Sequence, residues 1–227
     1  MRRPSENRHR FRLWRPGFLW NPSRLRCDAS RLSPPPKGAD RDSALGNLNT
    51  DAYRAKTDTS IGPTADGWIS EKIWAGPIVG ADVFHAVSYG YDPPTGLGFH
   101  LVTLDLTAEQ LVTVLEITLS QLGVNDDFFL QTSGMTFQYD SRRDPGERVL
   151  LESIRVGGDP IDFSGTYSVT VNDGSAALLG YLGIDATNVL QTTYLECDAL
   201  RDYIQDVETL NYASEGRIQD VALHHKK

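Results

Sequence analysis

The sequence predicts an α+β fold, and three observations predict it. Strands at 128–139, 147–156 and 166–172 follow one another through turn residues such as Pro145-Gly146. Amphipathic helices stand apart from them, above all Ala108–Leu122 and Glu196–Thr209. Strand and helix do not alternate in the regular way that a parallel sheet requires. The 227 residues are enough for one large domain with a substantial core.

Charge divides the chain near residue 40. Residues 1–40 carry nine Arg and one Lys against Glu6, Asp28 and Asp40, a balance of +7. The rest carries 12 basic and 27 acidic groups, a balance of −15. The basic segment has the charge to meet RNA, DNA or an anionic membrane. However, Pro4, Pro16, Pro22 and Pro34-Pro35-Pro36 break any long helix, so residues 1–40 are expected to be a disordered extension and 41–223 the folded domain. Arginines at 10, 12, 15, 24 and 26 interrupt every candidate apolar stretch of a signal peptide, and no window reaches the roughly 18 apolar residues of a membrane span. The acidic body repels polyanions, so nucleic acid is not an expected partner. Two cysteines, Cys27 and Cys197, are too few to form a disulfide framework or a metal site.

The elements follow in order. Ser43 caps a helix over Ala44–Ala55, with Leu45, Leu48, Ala52 and Ala55 at helical spacing. Gly62 to Gly80 is punctuated by Gly and Pro, with short extended pieces around Ile69 and Ile73, and Asp82–Val87 reads as a brief helix or turn. Tyr91–Gly98 is a loop by its turn residues. Phe99–Leu106 alternates as a strand, and Thr107 caps the helix that follows, whose Leu111, Val114, Leu115, Thr118 and Leu122 share one side. Gly174–Gly183 is a short helix or loop, Thr192–Tyr194 a short strand, and Gly216–Val221 the closing strand.

Several motifs resemble, in order, the C-terminal domain of the 5'-nucleotidases. Asp42-Ser-Ala-Leu-Gly-Asn-Leu48 with Asp51-Ala52 is similar to the opening of that domain, and Leu104-Asp-Leu-Thr-Ala-Glu-Gln-Leu111 to its strand-to-helix step. Gln131-Thr-Ser-Gly134, the Pro145-Gly146 hairpin, Tyr167–Asn172 and Glu215-Gly-Arg-Ile218 match later pieces, together covering about 180 residues. The resemblance implies mixed sheets with helices packed in layers. It also implies a nucleoside or nucleotide ligand, with Arg41, Asp66, Tyr89, Asn172 and Asp173 at the substrate-binding positions. Tyr89 stands for one of two rings that sandwich a base, and Asp173 replaces the other. Ser70 in Asp66-Gly-Trp-Ile-Ser70 stands where the family has an Arg, so an anionic ligand is expected to be held less well.

No catalytic residue and no metal ligand is expected in this chain. The resemblance places hydrolysis on divalent metals in a separate catalytic domain, so this chain is expected to be an isolated recognition or accessory module without a metal centre. The alternative is the substrate-binding part of a split enzyme whose metallophosphoesterase domain is another chain. His9, His85, His100, His224 and His225 have no ligand spacing alongside carboxylates. Ser133 lacks a nucleophile elbow, Gly157-Gly158 lacks the Lys of a phosphate loop, and Asp126-Asp127, Asp198 and Asp202 read as solvated charge. The family usually works outside the cytoplasm, whereas this chain shows no recognisable signal peptide.

Overall fold

A computed structural model describes residues 25–33 and 41–223. Its elements run β1 (Arg26–Leu32), α1 (Ala44–Thr57), β2 (Gly62–Ala65), β3 (Ile73–Pro77), α2 (Gly80–Ala86), β4 (His100–Thr107) and α3 (Ala108–Ser120). There follow β5 (Leu130–Ser133), β6 (Met135–Tyr139), β7 (Arg155–Val156), β8 (Asp159–Pro160) and β9 (Thr166–Asn172). The last are α4 (Asp173–Tyr181), β10 (Thr187–Leu195), α5 (Glu196–Val207), β11 (Thr209–Leu210) and β12 (Ile218–Asp220). The strands form sheets in the orders β11-β1-β3, β10-β4-β9, β12-β6-β7-β8 and β2-β5. The result is the mixed α+β architecture the sequence predicts.

Two buried clusters lie in this framework. One packs α3 and the inner faces of β4 and β9 against Phe129, Met135, Phe137 and Tyr139. The other packs α1, α2 and α5 around Leu32, Leu48, Ile73, Leu200 and Ile204. Local chemistry explains both principal helix starts. The Ser43 hydroxyl accepts from Gly46 N at 3.0 Å, and Thr107 with Gln110 forms a reciprocal capping box.

Ordered structure begins ahead of residue 41. Residues 26–32 fall within the stretch expected to be disordered, yet they form the central strand of the first sheet, parallel to β11 and antiparallel to β3. Cys27 and Leu32 are buried at 1% and 0% exposure while Arg26, Asp28 and Arg31 face outward, so a half-buried strand was hidden by its charged side. The rest of that extension lies outside the described residues.

Other strand expectations change as well, and the short strand expected at Thr192–Tyr194 is the nine-residue β10. The strand expected over 128–139 is split at Gly134, whose φ is +76° and where a Cβ would lie 2.0 Å from Ser60 O. The strand expected over 147–156 is reduced to a bridge at Val149 and the two residues of β7. Between them Leu151–Ser153 forms a 3-10 turn, in which the Ser153 hydroxyl accepts from Gln138 N at 2.8 Å.

Distant motifs meet in pairs. The buried Asp42 carboxylate accepts from Asn47 Nδ2, Ser214 Oγ and the backbone N–H groups of Glu215 and Gly216, at 2.6–3.1 Å. Arg217 binds Asp51 through both terminal nitrogens, at 2.8 and 2.9 Å, and donates to Thr132 O at 3.0 Å. The closing segment is thereby clasped to the first helix. Asp198 and Asp202, expected to be solvated charge, pair with Arg201, and Asp202 also meets Lys56 from α1.

Candidate functional site

Gln131 anchors one half of the candidate site. It is fully buried on β5, and its Oε1 accepts from Ser43 N at 2.7 Å. Its Nε2 donates to Asp66 Oδ1 at 2.8 Å and reaches Arg41 O at 3.5 Å. Gly46 makes room for this amide, because a Cβ there would lie 2.4 Å from Gln131 Oε1. One side chain therefore draws together Arg41 and Asp66, which stand far apart in sequence. The sequence marks Gln131 as the start of the Gln131–Gly134 motif but not as a site residue. The Arg41 side chain is exposed, and its backbone pairs with Gln219. Gln219 in turn lines a polar groove of about 310 Å³ with Gln138, Arg155 and Arg217.

Asp66 opens a single 3-10 turn, Asp66–Trp68. Burial pushes its carboxyl up to about 8. The hydrogen bond from Gln131 opposes that rise, while the neighbouring charges of Asp127 and Asp126 add to it. At neutral pH this group is mainly a carboxylic acid, able to donate as well as accept. Gly67 is pressed against Asp127, where a Cβ would lie 2.8 Å from the Asp127 side chain.

The other end of the same turn starts an aromatic cluster. Trp68 meets Tyr89 edge-on with centroids 5.9 Å apart, and Phe99 edge-on at 5.1 Å. Tyr89 is 46% exposed. The Phe99 ring lies across Gly90 and Gly174, with a Cβ at Gly90 falling 2.5 Å from the ring and one at Gly174 falling 3.1 Å from it. The sequence points to Tyr89 but not to Trp68 or Phe99. Trp68 carries a signal in its place two residues after Asp66; Phe99 carries only the adjacent Gly98. Beneath Trp68 an apolar cavity of about 70 Å³ is lined by Leu106, Leu115, Phe128, Leu178 and Leu182.

Asn172 and Asp173 lie where β9 passes into α4. The Asn172 Oδ1 accepts from Ser175 N at 2.7 Å and so caps the helix. Its Nδ2 donates to Glu196 Oε1 at 3.0 Å, and the Tyr53 hydroxyl donates to the same oxygen at 2.8 Å. Asn172 is 2% exposed, so its side chain faces the core rather than an open cleft. Asp173 opens α4, and its buried Oδ1 has no hydrogen-bond partner among the described residues. Its neighbour Gly174 touches Phe99, which places Asp173 beside the aromatic cluster. Arg41 with Asp66 and Tyr89 with Asp173 thus form two neighbourhoods joined by the Asp66–Trp68 turn, while the Asn172 side chain turns to Glu196 in the core.

No group of three or more His, Cys, Asp or Glu among the described residues could hold a metal ion. Among the same residues no helix is long and apolar enough to cross a membrane.

The fold and these clustered loops define a layered α+β domain that assembles polar and aromatic side chains from separate segments. The family model described as "5'-nucleotidase, C-terminal domain" matches residues 31–181, about two thirds of the chain. The chain belongs to the 5'-nucleotidase C-terminal domain family. It is similar to a 5'-nucleotidase precursor from Thermus thermophilus, with 27% identity and a TM-score of 0.75 over 86% of this chain and 39% of that one. NAD nucleotidase (NadN) from Haemophilus influenzae shares the fold, with a TM-score of 0.71 and 13% identity over 87% of this chain and 38% of that one. Endonuclease YhcR of Bacillus subtilis (strain 168) is 26% identical over 185 residues, 79% of this chain and 14% of that protein. The chain therefore spans less than two fifths of each of these relatives.

Proposed function

We propose that this domain recognises a nucleoside or nucleotide-like ligand and contributes substrate contacts rather than bond cleavage. The observation that carries this reading is the junction at Asp66–Trp68. It sets a half-buried, Gln131-bound carboxyl at one end and the Trp68, Tyr89 and Phe99 rings at the other. Rings of this kind accept the flat face of a base, and a mainly protonated Asp66 donates or accepts in-plane hydrogen bonds. Arg41 is the cation of the site, while Ser70 and the acidic Asp126-Asp127 turn do not favour an anionic tail.

Calorimetry with adenosine and AMP tests this. The expected outcome is weak binding, with dissociation constants no tighter than about the high micromolar range. The neutral nucleoside should bind at least as well as the nucleotide. Failure of both to bind, or binding unchanged on Tyr89→Ala, would defeat the reading.

A second reading rests on the likeness to the Thermus thermophilus 5'-nucleotidase precursor. Here the domain is the substrate-binding part of a 5'-nucleotidase whose metallophosphoesterase domain is a separate chain. Purified protein with added divalent metal should then show no phosphatase activity alone and should gain it on mixing with such a domain.

A further inference from the structure

The outward face of the first sheet carries an exposed aromatic ring among cations, and nothing in the proposed ligand site uses it. Trp74, on the edge strand β3, is 56% exposed. The Lys72 ammonium lies over its ring, 4.4 Å from the centroid. Directly across the ladder, Arg31 of β1 pairs in register with Trp74 and is exposed. Further along β1, Arg26 is also exposed, partly offset by Asp28 at 3.5 Å. Glu71 is the other exposed acid adjoining the patch in sequence.

From these side chains we infer that the β1-β3 face binds single-stranded nucleic acid, with Trp74 stacking on a base and Arg31, Lys72 and Arg26 meeting phosphates. Sequence-tolerant single-strand binding needs this combination of a stacking ring and a row of cations along the backbone. The sequence ahead of the described residues adds to the charge complementarity. The 24 residues that lead straight into this strand hold seven Arg against one acid, Glu6, interleaved with Phe11, Trp14, Phe18 and Trp20. The balance beyond residue 40 is acidic, so the domain as a whole does not attract a polyanion. An anionic bilayer is the less suitable partner, because membrane insertion needs a contiguous apolar face. Trp74 instead stands between Arg31 and the small neighbours Ala75 and Gly76.

Fluorescence anisotropy of the full chain with a labelled oligo-dT of about twenty nucleotides tests the inference. The intact protein should bind with strong salt dependence. Trp74→Ala should weaken binding about tenfold and Trp74→Phe should restore most of it, since a ring of any kind stacks. Replacing Arg31 or Lys72 with Gln should lower the slope of log affinity against log salt by about 0.7 each. Deleting residues 1–24 should reduce affinity while leaving the Trp74 dependence intact. The inference is overturned if the oligonucleotide does not bind, or if Trp74→Ala leaves its affinity unchanged. It is also overturned if phosphatidylserine vesicles, and not the oligonucleotide, show the Trp74 dependence. Trp74 is outside both buried clusters, so its substitution tests the surface and not the fold.

Discussion

Two carboxyls in this domain titrate alike and live differently. Glu196 and Asp66 are both pushed up to about 8, and in both burial is the leading cause. Glu196 is 1% exposed and receives the Tyr53 hydroxyl and the Asn172 amide on one oxygen, inside the junction of α1, β9 and α5. Among the described residues Asp66 has a single side-chain donor, Gln131, and it faces the acidic turn at Asp126-Asp127. The first carboxyl is enclosed by its partners. The second is left with capacity to spare. A raised pKa therefore marks burial in both places, and only the surplus of hydrogen-bonding groups at Asp66 points toward a ligand.

The largest expected effect breaks the enclosed one. Glu196→Ala leaves the Tyr53 hydroxyl and the Asn172 amide without their shared acceptor and opens a cavity, at a cost of roughly 3–5 kcal/mol. Glu196→Gln keeps the shape and a carbonyl acceptor in place of a carboxyl that is already mainly protonated, so its cost should stay within about 1 kcal/mol. Urea unfolding of both variants near pH 6.5 checks this. If the Gln variant is as damaged as the Ala variant, the buried group is ionised and the comparison with Asp66 fails.

Next in size, taken per pH unit, is the dependence of stability on pH. Unfolded carboxyls titrate near 4, so between about 4 and 8 the folded state holds protons at Glu196 and Asp66 that the unfolded chain has released. Their contribution is fully present below the unfolded pKa and is lost as pH rises through the folded value. Each should contribute a decline on the order of 1 kcal/mol per pH unit, levelling off above pH 8. Denaturant midpoints from pH 5 to 9 measure it, and Glu196→Gln should remove about half of the slope. A midpoint that does not fall over this range would contradict both assignments.

Gln131→Leu comes third. The substitution leaves Ser43 N and the Asp66 carboxyl without their buried partner, at roughly 2 kcal/mol. It should also weaken nucleoside binding more than Tyr89→Phe does, because the opening segment and the Asp66–Trp68 turn lose their common anchor. Thermal melts and calorimetry on the two variants separate these effects.

Sequence and structure agree most where the cause is local. Ser43 and Thr107 reveal their helices because a capping hydroxyl acts within three residues. Strand β9 is legible from its alternation, and the paired clasp of Asp42 and Arg217 stands behind motifs that could be read only as words. What escaped was non-local. The charged side of β1 looks like an unstructured tail until β3 and β11 flank it, and the run through Gly134 looks continuous until Ser60 O closes on it. The site divides in the same way. Arg41, Asp66 and Tyr89 are singled out by the resemblance, whereas the roles of Gln131 and Phe99 rest on contacts with glycines 85 and 75 positions away, at Gly46 and Gly174.

The smallest expected effect sharpens the contrast most. Asp66→Asn swaps a mainly neutral acid for a neutral amide of the same shape, so stability near pH 6 should change by less than about 1 kcal/mol. The amide does not titrate. In the intact protein, raising the pH through about 8 charges Asp66 beside Asp126 and Asp127 and removes the proton it has available to donate. Nucleoside binding that depends on that proton should weaken across this interval and, in the Asn variant, should stay flat. Calorimetric titrations with adenosine at pH 6.5 and 9 give the answer directly. Equal pH dependence in both proteins would remove Asp66 from the ligand and leave it, like Glu196, a carboxyl that only the core uses.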